Sequence, residues 1–132
     1  MKFILATACL IFPLTACTSL HTTKAEHLAD KVVCIVNNPS VETVFRDAYE
    51  RQIRAKGYDT KIIAKGEACS TTSTYEATYG FHWGVYLASA ELKIFYQGVE
   101  VGKSIYHAPY VSPAKHGRVE GKIEKMIDEL LP

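Results

Sequence analysis

The stretch "TYEATYGFHWGVYLASAELKIFYQ" (Thr74–Gln97) constrains the fold more than any other part of the chain. Tyr75, Ala77, Tyr79, Phe81 and Trp83 alternate with Glu76, Thr78, Gly80 and His82. Period two is the spacing of a strand with one face turned to a core. The run is far longer than one ordinary strand of about 5–6 residues, so a break is expected near Gly84. After it, Tyr86, Ala88, Ala90, Leu92, Ile94 and Tyr96 share one face, opposite Ser89, Glu91 and Lys93. Gln97-Gly98 then turns the chain, and "VEVGKSIYHA" (Val99–Ala108) returns as the third strand of a meander.

Two more strands and two helices surround that meander. "KVVCIVN" (Lys31–Asn37) is a continuous β-branched run, the signature of a strand buried on both faces. Asn38-Pro39 breaks it, and Ser40 is placed to cap a helix carrying Val41, Val44, Phe45, Ala48 and Ile53 at helical spacing, stopped by Gly57. "DTKIIAK" (Asp59–Lys65) follows as a strand, so the crossover predicts two parallel neighbours. "GEACSTTS" reads as a loop. The polar stretch "PYVSPAKHG" leads to a last helix with Val119, Ile123, Met126, Ile127 and Leu130 in one stripe. The expected fold is α+β: a two-layer sandwich, β-α-β-β-β-β-α, with a five-stranded mixed sheet and both helices on one face.

The N-terminus is organised differently. Lys2 precedes an uncharged run from Phe3 to Leu14. Such a run is too short to cross a bilayer, which takes about 20 residues, but it fits the apolar core of an export signal. Cleavage before Cys17 would leave Ala16 at the −1 position and Leu14 at −3, a poor ordinary site. Leu14-Thr15-Ala16-Cys17 instead resembles a bacterial lipobox. That resemblance implies cleavage between Ala16 and Cys17, diacylation of the Cys17 sulfur and acylation of its new amine. One acyl chain holds a protein marginally at a membrane; two or more anchor it. Thr18 stands where an Asp would imply retention at the inner membrane, so the outer membrane is favoured. The division expected is residues 1–16 as signal peptide, 17–30 as lipidated N-terminus and flexible tether, and 31–132 as the folded domain. A tether of that length would reach about 20 Å.

Charge and cysteine usage agree with export. Without Lys2 the mature chain holds 14 basic and 14 acidic residues, which gives no basic field for nucleic acid. Cys9 leaves with the signal and Cys17 takes lipid, so Cys34 and Cys69 remain as a pair for a disulfide. A buried free thiol at Cys34 is the alternative.

No catalytic residue can be assigned. His82, His107 and His116 lack a metal-ligand spacing, and neither H-x-x-x-H nor H-E-x-x-H occurs. Glu67 and Glu76 have no determinable separation, Ser70–Thr74 lack a nucleophile elbow, and the glycines form no phosphate loop. No metal or cofactor is expected. The aromatic side chains of the meander offer two readings. They pack beneath helices, or those left uncovered, with Tyr75, Tyr79, Trp83, Tyr106 and Tyr110 as candidates, form an interaction surface. An alternative is a small-molecule-binding or hydrolytic domain, its pocket between the last helix and the sheet and holding His82 or His107.

The segments "VVCIVNNPSVETVFRDAYERQIRAKGYDTKII", "CSTTSTYEATYGFHWGVYLASAELKIFYQGVEVGKSIY" and "KIEKMIDELLP" together resemble the Sbal-type small lipoproteins of Gram-negative bacteria. The resemblance implies a lipid-anchored α+β envelope domain facing the periplasm, with a membrane contact through its lipid and an envelope protein or cell-wall polymer as partner. It implies no catalytic residues.

Overall fold

A computed structural model of the chain describes residues 19–109 and 116–132. Six strands and two helices follow one another as β1 (Ser19–Thr23), β2 (Val32–Val36), α1 (Thr43–Ala55), β3 (Asp59–Ile63), β4 (Thr71–Phe81), β5 (Val85–Tyr96), β6 (Val99–His107) and α2 (Val119–Leu130). They form one mixed sheet in the order β1-β6-β5-β4-β2-β3. Strand β2 lies parallel to β3, as the helical crossover between them requires, and also to β4, which is reached from β3 by a loop, while β4, β5, β6 and β1 run antiparallel in turn.

The sheet therefore has six strands where the sequence suggested five, and the extra one comes from the segment expected to be a tether. Ser19 to Thr23 pair with His107 to Lys103 of β6. "SLHTT" hides its strand character because only Leu20 is apolar. An edge strand needs backbone partners on one side and little side-chain burial. The pairing is secured from the helix layer. Ala25 is fully buried and donates its N–H to the Leu130 carbonyl at 2.8 Å. Thr22 Oγ1 meets Ser104 Oγ at 2.9 Å and donates to Glu129 Oε2 at 3.1 Å. Gly102 makes this close approach possible: a Cβ there would stand 2.6 Å from the Ala25 Cβ and 2.9 Å from the Ala25 nitrogen.

Both helices lie on one face. Tyr75, Leu92, Ser104 and Thr22 occupy one row across four strands. Tyr75 meets Phe45 and Tyr49 of α1, and Thr22 meets Glu129 of α2. The core between the layers holds Phe45, Tyr49 and Ile53 from α1 and Ile123, Met126, Ile127 and Leu130 from α2, against Ile35, Tyr75, Leu92 and Ile94. The stripe expected on α2 is the one observed. That of α1 is rotated: Val44 faces solvent and Tyr49 is fully buried. Tyr49 can enter the core because its hydroxyl pairs with that of Ser73, and burial pushes its phenol well above the ordinary range. Ser40 does not cap α1. Its N–H goes to Asn38 Oδ1 in an Asx turn, and Glu42 is the residue at the cap.

The middle of strand β2, Val33 to Ile35, is buried on both faces by two different covers, while Val32 at its start is exposed. Val33 and Ile35 enter the core, while Cys34 bonds Cys69 with Cα atoms 6.4 Å apart. The bridge straps the loop after β3 across the sheet. "TTS" (Thr71–Ser73) is strand rather than loop, since β4 begins at Thr71. Strand β5 also departs from simple alternation. A register shift beside Thr78/Tyr79 puts Leu87, not Tyr86, into the core.

Helices α1 and α2 are joined by Arg51, which donates from Nε and a terminal nitrogen to the two Glu120 carboxylate oxygens at 3.1 and 3.2 Å. Gln52 Nε2 adds a third bond at 3.2 Å. Hydrogen bonding to Arg51, then to Gln52, holds the Glu120 carboxyl below the usual carboxylate range. A depressed folded-state pKa gives a contribution present above the unfolded value, about 4.3, and lost as pH falls through the folded one. Glu120→Gln is expected to lower the melting temperature slightly at pH 7 and by less at pH 3. Thermal melts at the two pH values check this, and an equal shift at both would show that the charge is immaterial.

Candidate functional site

The two layers are unequal in length, and the mismatch creates the most unusual surface of the molecule. Helices of 13 and 12 residues rise about 1.5 Å per residue and so cover about 18–20 Å. Strands β4 and β5, with 11 and 12 residues, extend about 3.4 Å per residue, nearly twice as far. The β4–β5 hairpin therefore runs past the helices. It also runs past its sheet neighbours. Ser19, His107, Ser89 and Thr78 lie in one row; just beyond it Ala108 still donates its N–H to the Ala88 carbonyl at 2.8 Å, and past that, among the described residues, strand pairing continues only between Tyr79–Phe81 and Val85–Leu87. About 10 Å of two-stranded ribbon, plus a turn, projects from the sheet.

The ribbon's outer residues are apolar and exposed. Phe81 and Val85 face each other across the strands and are 79% and 72% accessible; Trp83 at the turn is 92% accessible. His82, Trp83 and Gly84 form the turn, closed by the His82 N–H donating to the Gly84 carbonyl at 3.0 Å. Trp83 adopts φ +59°, a left-handed conformation uncommon for a bulky residue. Behind it, the Tyr86 ring lies across Gly80, where a Cβ would come within 2.7 Å of that ring. His116 packs edge-on against Tyr86 at 5.5 Å and stacks with His82 at 6.4 Å. No Lys, Arg, Asp or Glu occurs from Ala77 to Ala90.

The residues singled out from sequence separate into distinct environments. Trp83 is exposed and Tyr79 is 38% accessible, beside the hairpin's base. Tyr75 and Tyr106 are buried beneath the helices and belong to the core, not to an interaction surface. Tyr75 accepts the Asn38 N–H at 2.9 Å, and its carbonyl accepts from Asn38 Nδ2 at 3.0 Å, which clamps the turn after β2. Lys122 stands over the Tyr106 ring at 5.6 Å. Ala16, Cys17 and Tyr110 lie outside the described residues. Phe81 and Val85 were not singled out by alternation alone. The uncharged span around them is the signal that marks this surface.

The pocket expected between the last helix and the sheet is lined by Leu20, Tyr106, Pro109, Gly117, Arg118, Gly121, Lys122 and Lys125, and neither His82 nor His107 reaches it. Its volume is about 210 Å³, below the usual range for an organic ligand. His107 lies instead on the open sheet face, in a shallow furrow with Glu76, Thr78, Ser89 and Glu91. There the Ser89 hydroxyl pairs with Thr78 Oγ1 at 2.5 Å. Among the described residues there is no group of three or more side chains arranged to hold a metal, and no helix long and apolar enough to cross a membrane.

No family model matches the sequence, and no curated protein matches it. Similar architectures occur among solved structures. A PelC dodecamer from Paraburkholderia phytofirmans has a subunit similar to this chain with TM-score 0.57 and 14% identity, over 86% of this chain and 96% of that one. A PDZ domain protein from Parabacteroides distasonis is similar with TM-score 0.53 and 13% identity, over 83% of this chain. This chain spans about a third of that protein's length, since 34% of it is covered. At these identities the likeness is one of fold.

Proposed function

We propose that the protein is a lipid-anchored envelope lipoprotein, held through Cys17 at the periplasmic face of the outer membrane, whose domain is a non-enzymatic interaction module for an envelope protein or cell-wall polymer. The observation that carries this reading is the sequence Leu14-Thr15-Ala16-Cys17, which ends an uncharged run and stands two residues before strand β1. The Cys34–Cys69 bridge supports an oxidising compartment. The resemblance to Sbal-type lipoproteins points the same way. With β1 beginning at Ser19, an acylated Cys17 would hold the domain close against the bilayer instead of on a long tether. The absence of charge in the projecting hairpin and the polar open face beside it provide two chemically different surfaces for contacts.

The reading is tested by the mass of the mature N-terminus and by fractionation. Cys17 is expected to be the first residue of the membrane-bound form, carrying acyl groups. Cys17→Ser is expected to block lipid attachment and shift the folded protein out of the tightly membrane-bound fraction. An unmodified Cys17, or a retained leader in the native protein, overturns it. Reversible crosslinking in intact cells then tests the interaction module, for which recurrent capture of one envelope component is the expected result.

A further inference from the structure

We propose that the β4–β5 hairpin tip is a membrane-docking element: Phe81, Trp83 and Val85 insert into the interfacial region of the same bilayer that holds the lipid on Cys17. The inference rests on the lipid-anchor reading for its choice of occupant and adds a second, protein-borne contact with the membrane.

The direction of the strands brings the two contacts together. Strand β4 runs toward the tip, β5 away, β6 toward it and β1 away again. The chain preceding Ser19 therefore enters the sheet from the end where the hairpin projects. Cys17 is two residues ahead of Ser19, so its Cα is within about 7 Å of the Ser19 Cα however the link is arranged. The hairpin extends about 10 Å beyond the Ser19 row, plus its turn, and β1 and β4 are separated by only two intervening strands. Acyl chains rooted at Cys17 thus bring a bilayer to the level of the tip, with no tether long enough to hold the domain clear.

The chemistry of the tip suits that environment. Trp and Tyr are enriched where a membrane meets water, because each has an apolar body and a polar handle. Trp83 occupies the turn, Phe81 and Val85 flank it, and Tyr86 and the two histidines lie behind. No formal charge would need to be desolvated between Ala77 and Ala90. The inward-facing backbone groups of the ribbon pair across it up to Phe81 and Val85, and the outward-facing ones keep water and headgroup partners as long as insertion stays within the interfacial region. The shape also selects a fluid partner. Phe81, Trp83 and Val85 stand largely bare at the end of a two-stranded ribbon, and a lipid headgroup layer can close around such an end without a preformed complement.

The chain carries its own reporter, because Trp83 is its single tryptophan. In the mature chain, residues 17–132, Cys17 is the one thiol outside the Cys34–Cys69 bridge. Coupling that thiol to maleimide-bearing phosphatidylethanolamine/phosphatidylglycerol vesicles supplies the anchor whether or not the cell acylates it, so failure of native acylation and failure of insertion are read separately. The expected result is a blue shift of Trp83 emission on coupling, with quenching by lipids brominated near the top of the acyl chains. With Phe81→Ser and Val85→Ser together, the shift and the quenching are expected to disappear. The melting temperature should stay unchanged, since both side chains are exposed. Measured without coupling, partitioning of the wild-type chain onto the same vesicles should exceed that of the double variant by about tenfold or more. Water-like emission from the coupled wild-type chain overturns the proposal. So does a shift that appears only as protein density on the vesicle rises, which would assign the tip to a second copy.

Discussion

Tyr75→Ala is expected to destabilise the domain by about 4 kcal/mol, the typical cost of deleting a large aromatic from a core. Tyr75 is 1% exposed. Its ring stacks on Phe45 at 5.9 Å and tilts against Tyr49 at 5.8 Å. Three aromatic rings thus meet where α1 crosses the sheet, and removing the middle one opens a cavity between the other two. For a domain of this size the loss corresponds to a fall in melting temperature of about 15 °C. Tyr75→Phe separates the ring from its hydroxyl. It keeps the stack and leaves the Asn38 N–H without its acceptor, so a smaller loss of about 1 kcal/mol is expected. Urea denaturation of the three proteins measures both steps. A Tyr75→Ala variant as stable as wild type would return this residue to the exposed surface that alternation allowed.

The second large effect concerns the Cys34–Cys69 bridge, whose partners are 35 residues apart. Closing a loop of that length restricts the unfolded chain by about 3–4 kcal/mol in the chain-entropy treatment. Cys69→Ser is expected to lower the melting temperature by about 10–15 °C under oxidising conditions. Cys34→Ser should cost somewhat more, because Cys34 is 3% exposed and the substitution also buries a hydroxyl. Reductant should bring the wild-type protein down to the level of Cys69→Ser and leave that variant unmoved. Equal melting temperatures with and without reductant, or free thiols at Cys34 and Cys69 in the protein under oxidising conditions, would contradict the bridge.

These two substitutions mark the boundary between what could be read along the chain and what required the fold. The bridge was accessible because, if Cys9 and Cys17 are set aside as belonging to a leader and its end, cysteine counting leaves one pair. The role of Tyr75 was not, because alternation specifies that Tyr75 and Phe81 share a side of β4 but not how far the covering helix reaches. The two residues have the same parity. One is sealed under α1 and the other is bare, because a helix advances less than half as far per residue as a strand. Tyr106 was misplaced among surface candidates for the same reason. Leu87 escaped notice for another: one extra residue in β5 reverses the alternation locally.

What the sequence determined by itself was the class of fold and the order of its main elements. The long period-two run, the β-branched segment before a helix and the apolar stripe of the last helix each depend on local spacing. Local spacing survives in one dimension. The paired cysteines belong to the same category, since they are found by a count. Only the tertiary structure decided that "SLHTT" joins the sheet as its edge, because an edge strand is held by backbone hydrogen bonds to a partner distant in the chain and needs little from its own side chains. Only the tertiary structure brought the start of that strand and the bare aromatic turn to one end of the molecule. That placement follows from strand direction and strand order, which are properties of the pairing and not of any segment alone.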